Sequence, residues 1–95
     1  MNIELSELKA IFLVEIGHLE ELGYKRIEIP VDYYWNIPKD VRYDPTNEPH
    51  NLDLGQLSDD WQELQKRIRG DNDPITYDLV WLSTIIRAIG EHTLG

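Results

Sequence analysis

The chain has 95 residues, no cysteine, and 18 acidic against 9 basic residues, for a net charge of -9. That length suits a single domain, residues 1–95, with a core small enough that burial against a partner would add useful stability. The missing cysteines exclude disulfides, thiolate catalysis and Cys-ligated metal sites and fit a reducing cytoplasm, while the acidic balance makes a nucleic-acid backbone an unfavourable partner.

From Asn2 to Leu22 the pattern is helical, with Leu5, Leu8, Ile11, Phe12, Ile16, Leu19 and Leu22 at three- and four-residue steps and Gly23 as the stop. Gly17 inside this run costs about 1 kcal/mol relative to alanine, which predicts another element crossing closely there. Glu15 falls between Ile11, Leu19 and Leu22 on the apolar face. A carboxylate so placed is expected to be buried and paired, with Arg87 or a tyrosine as the partner. Glu4 and Glu7 stand where a signal peptide carries lysines, and no uninterrupted apolar run is long enough for a span, so neither secretion nor membrane insertion is expected.

The period then changes. Ile27, Ile29, Val31, Tyr33, Trp35 and Ile37 alternate with polar residues as in a half-buried strand, and Pro30 and Pro38 divide it into two short pieces at a sheet edge. If the odd positions face the core, Tyr34 faces outward. Asp44-Pro45, Thr46-Asn47 and Glu48-Pro49 mark a long turn-rich connection, in which Leu52 and Leu54 suggest a short strand pairing with Arg26 to Ile29.

A second helix is expected after Ser58, whose hydroxyl would cap it, with Asp59 and Asp60 against the positive end of its dipole. Leu57, Trp61, Leu64 and Ile68 would form its apolar stripe, Glu63 and Arg67 an outer pair, and Gly70 its end. A third helix begins near Asp73-Pro74, capped by Asp73 or Thr76, and runs to about His92 on an apolar face of Leu79, Leu82, Ile85, Ile86 and Ile89. The expected class is α+β, mainly α: an antiparallel three-helix bundle with a short β-hairpin or extended edge segment between helices 1 and 2.

Chemistry-bearing motifs are sparse. His18, His50 and His92 share no metal-binding spacing, Ser6, Ser58 and Ser83 lack a nucleophile elbow, and no phosphate-binding glycine loop is present. No catalytic residue and no cofactor is indicated. Asp53, Asp59, Asp60 and His50 are candidate oxygen and nitrogen ligands for a divalent cation, although the alternating acids of an EF-hand are missing. The strongest feature is aromatic density: Tyr33, Tyr34, Trp35 and Tyr43, with Tyr24 nearby, are the side-chain types that anchor protein interfaces.

Asp32-Tyr33-Tyr34-Trp35, Tyr43-Asp44-Pro45 and Gly55-Gln56-Leu57-Ser58-Asp59-Asp60-Trp61 together resemble a family of small uncharacterised cyanobacterial and actinobacterial proteins. The resemblance covers most of the chain. It implies a bacterial cytoplasmic setting and transfers no functional residue. The sequence therefore points to a non-catalytic protein-interaction module, binding a protein partner or its own copy, with no nucleic acid or membrane. The alternative is a small enzyme or divalent-cation-binding domain built on the acidic loop.

Overall fold

Leucine and isoleucine at helical spacing wind α1, Leu5–Glu21, in the computed structural model, which describes residues 1–95. Gly23, at a φ of 96°, closes it in a Schellman arrangement, its own N–H reaching Glu20 O and that of Tyr24 reaching Leu19 O. The remaining elements in chain order are β1 Tyr33–Asn36, α2 Lys39–Arg42, β2 Asp53–Gln56, α3 Leu57–Arg69 and α4 Asp78–His92. No helix is long and apolar enough to cross a membrane.

The chain divides into two compact units, one formed by Met1–Glu28 with Thr93–Gly95, the other by Ile29–His92. In the first, the segment Tyr24 to Ile27 lines a shallow concavity with Ile16 and Leu19 of α1, and His18 Nε2 lies 2.7 Å from Gly95 O. No residue of α1 is buried. Glu15 is exposed, so the buried, paired carboxylate expected there does not form, and Arg87 instead meets Glu91 one turn along its own helix at 3.2 Å. A Cβ at Gly17 would meet nothing within 4 Å. Within its own unit, therefore, no element crosses closely at Gly17.

In the second unit β1 and β2 form an antiparallel two-stranded sheet with Tyr33 opposite Gln56, Tyr34 opposite Gly55, Trp35 opposite Leu54 and Asn36 opposite Asp53. The partner of the Leu54 strand is thus Tyr33–Asn36 rather than Arg26 to Ile29. Pro30 has no N–H for a ladder, and pairing starts only beyond it. The long connection holds the single turn of α2 and an Asx turn in which Asp44 accepts from Thr46 N, Thr46 Oγ1 and Asn47 Nδ2.

Within this unit α3 packs on α4. The mixed α+β class holds. The packed helices of this unit are a pair, and the bundle expected from the sequence counted α1, which belongs to the other unit. The core consists of Leu57, Ile85 and Ala88, with Ile29, Tyr34, Leu64 and Ile89 packed around them. On α3 the buried face runs through Leu57, Asp60, Leu64 and Arg67, leaving Trp61 and Ile68 of the expected stripe exposed. Arg67 forms a two-pronged pair with Asp78 at the start of α4, at 2.9 and 3.0 Å. Lys66 takes the role expected of Arg67 and binds Glu63 at 2.8 Å. On α4, which starts at Asp78 after a tight turn through Ile75 to Tyr77, the buried residues are Ile85 and Ala88, while Leu79 is exposed.

Candidate functional site

A strand with aromatics on both faces can sit either way up, and a one-residue change of phase exchanges the faces. Here Tyr34 turns inward while Tyr33 and Trp35 turn outward, at 61% and 68% exposure, the reverse of the phase expected from the odd-numbered apolar run. Polar satisfaction and space favour this phase. The Tyr34 hydroxyl donates to Asp60 Oδ2 at 2.7 Å, and the ring lies where a side chain at position 55 would stand: a Cβ on Gly55 would overlap Tyr34 Cζ, Cε2 and Oη. The glycine opposite the tyrosine is what lets the ring cross the partner strand.

Asp60 is the buried carboxylate of the molecule, 7% exposed, and accepts from Thr84 Oγ1 of α4 at 2.6 Å as well as from Tyr34. Three elements, β1, α3 and α4, are thereby tied through one oxygen. Burial, followed by the hydrogen bond and charge of Asp60, pushes the Tyr34 phenol from its ordinary 10.0 up to about 12. By local position alone Asp60, like Asp59, is a helix-dipole residue. Its spacing three after Leu57 and four before Leu64 was the available signal that it shares their buried face.

A second polar junction holds the hairpin to α3. That helix starts at Leu57, with Gln56 at its N-cap making no side-chain cap. The free amides are met from the residue just before β1: Asp32 O accepts from Leu57 N at 2.7 Å and Asp32 Oδ1 from Ser58 N at 2.9 Å, while Asp32 Oδ2 accepts from the side chains of Ser58 (Oγ) and Gln56 (Nε2). Ser58 is therefore a first-turn donor rather than the cap, and the capping carboxylate comes from a residue distant in sequence. The Gln56 amide, then the Ser58 backbone N–H, hold the Asp32 carboxyl below the usual range.

Between β1 and α4 lies a cleft of about 550 Å³, floored by Tyr34, Leu57, Thr84 and Ala88 and edged by Trp35 and Arg87. It shares Asn36, Ile37 and Arg42 with a neighbouring cleft of about 430 Å³ that Tyr43 and Tyr77 line. Arg42 is held in the shared wall by Asn36 Oδ1 and Ile37 O. Tyr43 is exposed at the end of α2. Leu54, opposite Trp35 and also exposed, completes an outward apolar face of the hairpin with Tyr33 and Trp35. Local spacing marks Leu54 as a strand residue and does not show that it joins this face.

The structure does not gather the four candidate cation ligands: no group of three or more His, Asp or Glu that could hold a metal is present. Asp53, Asp59 and His50 are exposed, and Asp60 is turned into the unit onto two hydroxyls.

No family model, no curated protein and no solved structure matches the chain.

Proposed function

We propose that the chain is a non-catalytic protein-interaction module of the bacterial cytoplasm, and that the outward face of the hairpin, Tyr33, Trp35 and Leu54, is where the partner docks. The observation that supports this reading is the placement of two large exposed aromatics on a strand whose inner side is fastened. Tyr34 is bonded to Asp60, and Asp32 to the first turn of α3. Aromatics on a rigid support lose little entropy on binding and are the usual energetic centre of an interface. The clefts on either side of Arg42 extend the face toward Tyr43.

The test is capture from a bacterial lysate with wild type and Trp35→Ala in parallel, each checked for helix content. Trp35→Ala is expected to lose a partner at ten- to hundredfold weaker affinity, since centrally buried aromatics cost roughly 2 kcal/mol or more on truncation. Capture of the same partners by both proteins would refute the assignment of this face. Tyr34 is the wrong residue for that test, because its removal disturbs the support as well as the surface.

A further inference from the structure

We propose that the free edge of β1 receives an extended segment of a partner protein as a third strand, with a carboxylate of that segment held by Arg42. The proposal rests on the interaction-module reading and names the form of the partner.

The phase of the ladder decides which backbone groups are open. Antiparallel pairs alternate between those that exchange N–H···O bonds and those that exchange none. Leu57 N donates to Asp32 O, so these two residues form a bonded pair, and in the observed register the next bonded pairs are Tyr34 with Gly55 and Asn36 with Asp53. The N–H and C=O of Tyr33 and of Trp35 therefore point away from β2. The sheet has two strands, and these groups find no backbone partner. A row of unpaired groups at strand spacing is satisfied along its length by one backbone geometry, another extended strand.

The cleft of about 550 Å³ runs along that edge. Tyr33, Tyr34 and Trp35 reach it from both faces of β1, Thr84, Arg87 and Ala88 of α4 form the opposite wall, and no residue of β2 takes part. Side chains of an added strand alternate between its two faces. One set lies beside the exposed rings of Tyr33 and Trp35, and the other meets Leu57 and Ala88, so apolar residues are favoured at every second position.

Charge selects among extended segments. Arg42 closes one end of the edge, its Nη2 donating to Ile37 O and Asn36 Oδ1, and its other N–H groups have no acceptor in the chain. Arg67, Arg69 and Arg87 of the same unit each hold a carboxylate; Arg42 holds none. In a chain of net charge -9 an unpaired guanidinium at the end of an open strand edge favours an acidic segment over a basic one. The residues of β2 include Asp53 and no cation, so the outer edge of that strand lacks this preference.

The experiment is selection from a displayed library of short random peptides on the full chain, followed by titration of the enriched peptide, as a synthetic one, into the isotope-labelled chain by NMR. Enriched sequences are expected to alternate apolar residues and to carry Asp or Glu toward one end. In the free chain the amides of Tyr33 and Trp35 are expected to exchange fast beside protected Tyr34 and Asn36, and the bound peptide slows those two about tenfold or more. N-methylation of alternate peptide amides is expected to abolish binding in the phase that faces β1 and to spare it in the other. Arg42→Gln, which keeps a donor for Ile37 O, is expected to weaken binding about tenfold, and converting the peptide carboxylate to a carboxamide gives the same loss with no change to the protein. No enriched peptide, binding indifferent to N-methylation in either phase, or binding indifferent to both the Arg42 and the carboxamide changes would each overturn the proposal. The two readings fail separately: a peptide that ignores N-methylation but is lost with Trp35→Ala refutes the third strand and keeps the aromatic face, whereas strand addition that persists in Trp35→Ala refutes the face alone.

Discussion

Replacing Tyr34 by Phe removes one hydroxyl and leaves the ring in place over Gly55, so the loss is confined to the bond with Asp60. That bond is 2.7 Å long to a carboxylate that is 7% exposed and has Thr84 as its other donor. A hydrogen bond to a charged group contributes about 1.5–3 kcal/mol, and a buried acceptor stripped of a donor keeps most of its desolvation penalty. A destabilisation of roughly 2 kcal/mol is therefore expected, which for a domain of this size lowers Tm by about 8–16 °C. Thermal and urea melts of wild type, Tyr34→Phe, Thr84→Val and the double variant would measure it. The double variant is expected to depart from additivity by at least 0.5 kcal/mol or so, because both hydroxyls serve one oxygen. The same bond has an alkaline signature. The folded phenol titrates at about 12 against 10.0 unfolded, so its contribution is complete below pH 10 and is lost as pH rises through about 12. Tyr34→Phe removes that alkaline limb. A Tm unchanged by Tyr34→Phe, together with additive double-variant energies, would refute the claim that Asp60 gathers β1, α3 and α4.

Gly55→Ala is expected to destabilise by about 1–3 kcal/mol, the range for overpacking, because the new methyl displaces the Tyr34 ring from Asp60; a melt no different from wild type would contradict the close approach. At low pH the carboxyls of Asp32, Asp44 and Asp78 are held below their ordinary 3.8, mainly by Gln56, Thr46 and Arg67 respectively. Groups with depressed folded values stabilise fully above the unfolded value, so stability is expected to hold above about pH 4 and to fall as pH drops through the lowered values. Asp32→Asn is expected to flatten this acid limb and to fray the first turn of α3, measurable as earlier hydrogen exchange at Leu57 and Ser58; unchanged exchange there would count against the Asp32 cap.

Much of the element order was legible because it depends on short spacing. The three- and four-residue apolar steps of α1, the alternation through Tyr33 and Trp35, and the stops at Gly23 and Gly70 are local patterns. The helices and the strand follow them. Register and burial were less legible. The Leu54 strand pairs with Tyr33–Asn36 rather than with Arg26 to Ile29, and Tyr34 rather than its neighbours turns inward. A carboxylate flagged at Glu15 is exposed, while Asp60, read as a dipole partner, is the buried one.

The sequence by itself determined the composition of the candidate face, namely which aromatics lie on one short strand, and the absence of recognisable catalytic spacing. Only the tertiary structure decided which aromatics are presented, because a period of two is satisfied equally by either phase. The choice was made by long-range partners that no local pattern contains: Asp60 and Thr84 for the Tyr34 hydroxyl, Gly55 for its ring, and Asp32 for the amides of α3. Each is a polar group or a space brought from a distant part of the chain. Buried polar groups must be satisfied whichever element supplies the partner, and that requirement set the face the protein shows.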